Sequence, residues 1–427
     1  MSVIRNRLHR ATLLERLGPG VITGAADDDP SGIATYSQAG AGFGLNMLWT
    51  MVLTFPLMAA VQLISARIGR VTGQGLAANI KEVFPGPVVN TLVLLLFVAN
   101  TINIAADLSA MGESAGMVLG WGGHWHAVAF GVASLLLQLF MPYHRYVKVL
   151  KWLTLVLFAY VAVALVAHVD WTEAARRTVM PQLKLDRTAI TLIVAIFGTT
   201  ISPYLFFWQS SQEVEEIKDH ADAAPLLDKP AQAPGELSRI RWDTWIGMAF
   251  SNLIAMAIMI ATAATLHAHG QTNIQTASQA AEALRPVAGQ FAFLLFALGI
   301  IGTGLLAVPV LAGSTAYAMA EIQGWRSGLE LKPRQAVGFY AVIAAGMLIG
   351  VLLDFSPLDP IKALVWAAVI NGVISVPILV VMMIVASRRE QMGRFVATFA
   401  QRLFGWAATA VMAAAVIAMI ATIVLPA

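Results

Sequence analysis

The sequence predicts an all-α polytopic membrane protein, and three observations carry that prediction. Hydrophobic residues make up 58% of the 427-residue chain and charged residues only 12%, against about 25% charged residues in a soluble protein. Apolar stretches of roughly 20 residues, the length that a helix needs to cross a bilayer, recur along the chain. Two of these stretches carry a proline near the middle, which is typical of transporters that interrupt a helix around a substrate.

Eleven transmembrane spans are predicted. Their centres lie near residues 30, 58, 98, 133, 157, 200, 254, 303, 343, 373 and 415. If the N-terminus is cytosolic, 21 of the 27 Lys and Arg residues fall in cytosolic segments, as the positive-inside rule favours. The C-terminus is then outside, and the expected location is the plasma (inner) membrane.

Composition excludes several other classes of protein. With no cysteine, the chain has neither a disulfide framework nor a thiolate metal site. Residues 1–17 are basic without a cleavable signal pattern, so we interpret them as a cytosolic N-terminus. The net charge of +3 follows from the cytosolic loops and predicts no nucleic-acid partner. The expected partners are the lipid bilayer and the transported ion, with a monomer favoured.

Spans 1 and 6 are the two interrupted helices. Span 1 contains GAADDDPSG, where three aspartates precede Pro30. Span 6 contains FGTTISPY, where Gly198 and Pro203 flank four residues. Proline cannot donate a backbone hydrogen bond and clashes with the preceding turn, so we expect breaks at 29–32 and 198–204. Irregular backbone at membrane depth survives only where protein or water covers it.

The breaks lie five spans apart, which favours two inverted repeats with a site between them. The predicted organisation is a first five-helix repeat at 18–168, a second at 189–388, and an extra helix at 400–425. A charged, Pro-rich and Ala-rich linker is expected at 213–241. Asp29 lies at the first break, and a carboxylate at membrane depth is functional by default.

At these residues the sequence resembles the Nramp divalent-metal transporters. The matching motifs are GPG at 18–20, DPSG at 29–32, ARIGRVTGQGLA at 66–77 and TTISPY at 199–204. The resemblance covers nearly the whole chain. It implies a LeuT-type fold of eleven helices, alternating access, and a metal site between spans 1 and 6. The ion is then a substrate, with no resident cofactor and no enzymatic activity.

The resemblance also implies a ligand set, from which this sequence departs. Asp29 matches the family's aspartate, Gly32 stands at its asparagine, Ser202 at its methionine, and its carbonyl ligand falls on Thr199. Losing the thioether removes a preference for soft transition metals. We expect a roomier site that accepts a partly hydrated Mg²⁺, because Mg²⁺ usually keeps several waters. The hydroxyls of Thr199, Thr200 and Ser202 are candidates to hold those waters.

Proton coupling is not expected. Tyr204 and Gln209 occupy the family's histidine positions in span 6. Span 3 keeps Asp107 but has Ala110 at the position of the family's glutamate, and span 9 has no basic residue. A proton route needs groups that titrate near the working pH. The pattern resembles the Nramp-related magnesium transporter (NRMT) branch, which implies uptake driven by the membrane potential.

For each of four further polar residues, the sequence is compatible with two roles. Asp28 and Asp27 either line the ion's route or only bind neighbouring polar groups, because three consecutive aspartates cannot all face one ion on a helix. Asp107 is either a charge on the exit path or a buried partner of a hydroxyl or Arg. Asn371 in span 10 either lines the site or joins two helices.

The sequence therefore predicts a divalent cation transporter for Mg²⁺, and also Mn²⁺, without proton coupling. The nearest alternative is a proton-coupled Mn²⁺/Fe²⁺ symporter. A second alternative is a symporter for an amino acid or organic ion, although the three aspartates would repel a substrate carboxylate. A metal sensor would carry a sizeable soluble domain, for which the loops are too short.

Overall fold

The computed structural model describes residues 23–24, 26–120, 122–141, 153–220, 222–356 and 359–424, which are almost entirely helical. The helices are α1 (Pro30–Phe43), α2 (Leu48–Thr72), α3 (Leu76–Val83), α4 (Gly86–Leu119), α5 (Gly123–Phe140), α6 (Phe158–Val166), α7 (Trp171–Val179), α8 (Arg187–Thr200), α9 (Pro203–Asp219), α10 (Ala233–Thr265), α11 (Ala277–Ala281), α12 (Arg285–Ala288), α13 (Ala292–Gln323), α14 (Val337–Asp354), α15 (Pro360–Ser387), α16 (Arg389–Met392) and α17 (Phe399–Val424). A 3₁₀ turn at Leu153–Leu157 leads into α6.

The apolar helices agree with the predicted spans. Within the described ranges, nine helical stretches are long and apolar enough to cross a membrane, and the bent pair Leu155–Val166 and Trp171–Val179 makes a tenth. One of the nine, Pro30–Thr72, contains both α1 and α2. Counted as two crossings, it brings the total to eleven, and each predicted span centre falls within a helix or 3₁₀ turn.

The interrupted helices lie at the centre of the bundle. In the stretch Arg187–Asp219, which holds α8 and α9, 89% of the most apolar window is buried, compared with 28% in α17. Helix α1 packs against α4, α8, α10 and α15. A side chain at Gly198 would overlap the backbone of Ala368 and Gly372, so glycine lets α8 and α15 touch directly. This packing encloses both breaks in protein.

Both breaks are narrower than predicted. Thr23, Gly24, Ala26 and Asp27 are helical, Asp28 is a bend, and the helix resumes at Pro30. In span 6 only Ile201 and Ser202 lie outside α8 and α9. The reason is that each proline occupies the first helical position, where its missing N–H costs nothing and its fixed φ favours a new helix. Each proline starts a half-helix and does not kink a continuous one.

The predicted linker at 213–241 is also mostly helical. Its first seven residues complete α9 and its last nine begin α10, so the connection between those helices is short. Glu213, which the sequence presented as part of a charged loop, is fully buried and accepts a hydrogen bond from Arg239 Nη2 at 2.5 Å. This ion pair joins the C-terminal part of α9 to the first turns of α10.

Candidate metal-ion site

Asp29 caps the half-helix that follows the first break. Its backbone is extended (φ −69°, ψ 170°), and its Oδ1 accepts hydrogen bonds from the Gly32 amide at 2.7 Å and the Ser31 hydroxyl at 2.6 Å. These are the bonds expected of an aspartate at a helix N-cap. The capping role fixes the direction of the carboxylate and leaves Oδ2 for other partners.

The partner of Asp29 Oδ2 comes from α4. Asn103 Nδ2 donates to it at 3.0 Å, while Asn103 Oδ1 has no partner among the described residues. Because a carboxylate oxygen has two lone pairs, Oδ2 retains capacity to bind a cation. The amide oxygen of Asn103 is a neutral oxygen donor on the residue that binds Asp29.

Ser202 lies in the second break, and its side chain binds the C-terminal end of α8. Its hydroxyl lies 2.8 Å from the carbonyl oxygens of both Gly198 and Thr199, at the C-terminal end of α8. The last carbonyls of a helix carry partial negative charge. Ser202 donates its single proton to them, so its own oxygen lone pairs remain available to a cation or to a bound water.

The two breaks touch one another through side chains from both helices. Tyr36 Oη in α1 lies 3.1 Å from Thr200 Oγ1 in α8. Tyr204 Oη in α9 donates to the carbonyl of Ala26 at 3.1 Å. Thr200 Oγ1 also lies 2.6 Å from the carbonyl of Ile196. The interrupted segments therefore face each other across a short polar gap, as the sequence predicted.

Two neighbouring side chains lie close to Gly32, and the roomier site expected from the loss of two side-chain ligands stays a prediction. A Cβ at this position would lie 3.2 Å from Thr199 Oγ1 and 3.3 Å from Tyr36 Cε2, closer than ordinary van der Waals contact. The space that a side chain would occupy is taken by these two neighbours. Glycine at position 32 thus brings the Thr199 hydroxyl close to the first turn of α1.

Asp27 and Asp28 share one hydroxyl. Ser251 Oγ in α10 lies 2.6 Å from Asp27 Oδ2 and 3.1 Å from Asp28 Oδ1, and it has only one proton to donate. The other oxygen of each carboxylate, Asp27 Oδ1 and Asp28 Oδ2, is buried without a partner in the described part of the chain. Hydrogen bonds to neighbouring groups therefore reach only one oxygen of each of these two carboxyl groups.

Gln209, Asp107 and Asn371 differ in their surroundings. Gln209 Oε1 accepts from Thr23 Oγ1 at 2.5 Å, which ties α9 to the turn before Asp27. Asp107, one helical turn beyond Asn103, has no hydrogen-bond partner for either carboxylate oxygen, and neither polar atom of Asn371 has one, within the ranges described. Neither side chain contacts Asp29 directly. Asn371 precedes Gly372, which meets Gly198 at the second break.

Four buried carboxyl groups lie in and around the candidate site. Asp27, Asp28, Asp29 and Asp107 are all at most 1% exposed, and the ion pairs found in the described residues include none of them. Burying an unpaired carboxylate is costly, so such groups are neutralised by a proton or by a cation. This part of the protein has the charge needed to hold a cation.

The donor set consists of mixed oxygens. In the described ranges, no group of three or more His, Cys, Asp or Glu side chains is placed to hold one metal ion. The oxygen donors at the two breaks include the Asp29 carboxylate, the Asn103 amide oxygen and the hydroxyls of Ser202 and Thr199. Mg²⁺ is usually bound through one or two carboxylates while it keeps several waters.

Sequence reasoning missed Ser251 and Tyr36. Both are buried polar residues in apolar helices, and each joins α1 or its preceding turn to another element. A Ser-Asn pair inside the apolar stretch of span 7 was the available signal for Ser251. Its partners lie more than 220 residues away in sequence, so no local pattern identifies them.

Comparison with known proteins gives a consistent family. A family model described as natural resistance-associated macrophage protein-like (Nramp) matches residues 20–422. A protein named divalent metal cation transporter MntH, from Klebsiella pneumoniae (strain 342), is 29% identical over 416 residues, covering 95% of this chain and 94% of its own. A second K. pneumoniae protein with the same name matches equally well.

Solved structures show the same fold. A manganese transporter from Eremococcus coleocola superposes with a TM-score of 0.74 at 17% sequence identity, covering 98% of this chain and 90% of its own. Mhp1, a nucleobase-cation-symport-1 family transporter in a closed conformation, superposes with a TM-score of 0.58 at 13% identity, over 95% of this chain and 92% of its own.

Proposed function

This chain belongs to the Nramp family, and from that premise we propose that it moves Mg²⁺, and also Mn²⁺, across the plasma membrane by alternating access, without protons. It is a transporter and not an enzyme. The metal is the transported substrate, and no resident cofactor takes part. We further propose that it acts as a monomer with its N-terminus in the cytosol and C-terminus outside, built from inverted repeats at 18–168 and 189–388.

The proposal that the substrate is a cation rests on the buried aspartates around the first break, which form no ion pair among the described residues. Asp29 presents Oδ2 beside the free amide oxygen of Asn103. Asp27 and Asp28 add charge nearby with one hydroxyl between them. A divalent cation offsets this charge more completely than a single proton, and the hydroxyls around it suit a hydrated ion.

The preference for a hard ion rests on the ligands at the second break. Ser202 supplies a hydroxyl where the family pattern has a thioether, and it already binds the carbonyls of Gly198 and Thr199. Oxygen ligands suit Mg²⁺ and Mn²⁺, whereas sulfur favours softer transition metals. Asp29, Gly32, Thr199 and Ser202 form the proposed ion site. Thr200, Tyr204, Gln209, Asp28, Asp27, Asp107 and Asn371 are proposed to line the route.

The absence of proton coupling is proposed from side-chain chemistry. Tyr204 donates to a backbone carbonyl, and Gln209 is a neutral amide bound to Thr23. Neither residue gains and loses a proton near neutral pH. Helix α14, which corresponds to span 9, contains no Lys, Arg or His. The carboxyl groups that remain near the breaks, Asp27, Asp28, Asp29 and Asp107, are proposed to serve the metal ion and not a proton relay.

The rival proposal is a proton-coupled manganese transporter. The relatives are named divalent metal cation transporter and manganese transporter, which favours manganese as a substrate and does not distinguish the two proposals on proton coupling. The remaining alternative, an organic-ion symporter, has only the fold of Mhp1 in its favour. A substrate carboxylate would meet the buried aspartates and be repelled.

The direct test is Mg²⁺ uptake into proteoliposomes, followed with a luminal ion-sensitive dye and repeated with Mn²⁺. We expect saturable Mg²⁺ entry with the wild-type protein and none with empty liposomes. Asp29→Asn should lower uptake at subsaturating Mg²⁺ by about tenfold or more, because it removes the charged ligand. No Mg²⁺ entry in the wild type, beside normal Mn²⁺ entry, would exclude the magnesium proposal.

A matched control separates ion binding from helix capping. Asp186 caps α8 as Asp29 caps α1, accepting from the Ala189 amide at 2.8 Å, but it is exposed. Asparagine caps helices about as well as aspartate, so Asp186→Asn should transport normally. If both variants lose uptake to the same extent, Asp29 acts only as a cap, and its assignment to the ion site fails.

A further inference from the structure

A cavity of about 480 Å³ lies between α2, the first turns of α10 and the start of α17, away from the ion site. Arg67 of α2 and Arg241 of α10 both line it. Arg70 and Arg239, which form ion pairs with glutamates, occupy the same ends of these helices. By the predicted orientation, this end faces the cytosol.

The two arginines that line the cavity have no acidic partner. Arg67 Nε donates to the carbonyl of Phe395 at 2.9 Å, and its Nη1 donates to Gln401 Oε1 at 3.2 Å. Both acceptors are neutral. Arg241 is exposed, and no carboxylate forms an ion pair with either arginine within the described residues. The mouth of the cavity therefore carries two positive charges that the neighbouring side chains leave uncompensated.

Away from the two arginines, the cavity extends along apolar residues of α2. Pro56, Ala60 and Leu63 line it along α2. Pro56 precedes Arg67 by eleven residues, which is about 16 Å along a helix at 1.5 Å per residue. Trp245 forms another wall and is held by an edge-on contact with Phe55, at 5.2 Å between ring centroids. Phe404 of α17 lines it as well.

We propose that this cavity binds one anionic phospholipid. Its phosphate pairs with Arg67 and Arg241, and one acyl chain lies along Pro56, Ala60 and Leu63. Guanidinium groups bind phosphate through charge-assisted hydrogen bonds, and basic pockets between membrane helices select acidic headgroups. A zwitterionic lipid would bring a choline cation to the same two arginines. The bound lipid joins α2, α10 and α17.

The test counts lipids bound to the intact protein by native mass spectrometry. Purified protein is titrated with dioleoyl-phosphatidylglycerol or with dioleoyl-phosphatidylcholine, which has the same chains. We expect the first phosphatidylglycerol to bind more tightly than phosphatidylcholine. Arg241→Ala should weaken it by about fivefold, the contribution of one basic residue near a membrane surface. Arg402→Ala removes an exposed arginine outside the cavity and should leave binding unchanged.

A second variant keeps both charges and removes the space. Ala400 is exposed at the cavity, so Ala400→Trp should fill it from the rim without disturbing the interior and abolish the tight first binding. Glycerol phosphate, which lacks acyl chains, should not compete. Equal binding of the two lipids, or unchanged phosphatidylglycerol binding in both Arg241→Ala and Ala400→Trp, would overturn the proposal. Competition by glycerol phosphate would indicate a phosphate site and also overturn it.

Discussion

Asp29 caps a helix and, in the proposed site, also binds the metal ion. Its Oδ1 caps α1 through the Gly32 amide, which fixes the carboxylate on a rigid element. Its Oδ2 faces Asn103 and keeps a free lone pair. A ligand held by its own helix needs little reorganisation when an ion arrives. The position therefore suits a site that must bind and release an ion repeatedly.

We expect Ser202 to determine which metals the proposed site prefers. We expect Ser202→Met to raise the preference for Mn²⁺ over Mg²⁺ by about tenfold, which corresponds to about 1.4 kcal/mol. The substitution adds a soft thioether and frees the carbonyls of Gly198 and Thr199 from their hydroxyl donor. Competition of Mg²⁺ against Mn²⁺ uptake in proteoliposomes measures the change.

Leucine at the same position is the matched control. It resembles methionine in volume but has no sulfur, so Ser202→Leu should lose transport without gaining Mn²⁺ preference. An equal gain in Ser202→Leu would show that size or freed carbonyls, and not the sulfur, set the selectivity.

For single residues, the sequence predicted the position of charged side chains better than it predicted their contacts. Three consecutive aspartates beside a proline at membrane depth were enough to locate the first break and to single out Asp29. The Ser251 hydroxyl between Asp27 and Asp28 was not predictable, because it comes from a helix more than 200 residues away. The crowding at Gly32 was also hidden, since it depends on how closely Thr199 approaches.

Among the elements, the ends of α2, α9 and α10 are held together by charge. Arg239 binds buried Glu213 and also Glu236, while Arg70 lies 3.4 Å from Glu236. The Ser65 hydroxyl of α2 donates to the carbonyl of Phe206 in α9. These bonds join the second half-helix of span 6 to α2 and α10.

Removing Arg239 should destabilise the protein strongly. Arg239→Ala leaves Glu213 buried without its partner, which typically costs about 3 kcal/mol or more. We expect a clear drop in the apparent melting temperature in detergent. Size-exclusion chromatography of heated samples measures that temperature. Most of the loss should come from the orphaned glutamate and not from the missing arginine.

The double variant Glu213→Gln/Arg239→Ala tests that explanation. It removes both charges of the pair, which is far less costly than removing one, so it should recover most of the melting temperature. A double variant as unstable as Arg239→Ala alone would contradict the account.

The prolines show where element-level prediction succeeded and where it did not. Pro30 and Pro203 correctly marked two interruptions in register. The sequence suggested that each proline breaks a helix. Each one instead begins a helix, because it occupies the N1 position of α1 or α9. The linker at 213–241 was misjudged for a related reason. Its charges looked solvated, whereas Glu213 and Arg239 pair inside the protein.

For the whole molecule, hydropathy alone predicted an all-helical membrane protein, and nine to ten helical stretches of the described residues are long and apolar enough to cross a bilayer. The long apolar runs had to be helices, since a lipid environment satisfies no backbone polar groups. The burial of individual helices was not predictable in this way. Helix α17 is as apolar as the central helices but lies at the periphery, with exposed Ile417 and Ile420 facing outward.

The membrane potential is the proposed driving force. Moving one charge through 100 mV is worth about 2.3 kcal/mol, so a divalent ion gains about twice that amount. Uptake through an uncoupled carrier should therefore depend on voltage and on the metal gradient alone. A proton-coupled carrier would also respond to the proton gradient.

The most direct test records metal entry and luminal pH together in proteoliposomes, at a potential set by a K⁺ gradient with valinomycin. The account predicts that Mg²⁺ enters faster as the lumen becomes more negative, at a constant luminal pH and at a rate that external pH does not change across the neutral range. Luminal acidification in proportion to metal entry, absent from empty liposomes, would contradict it.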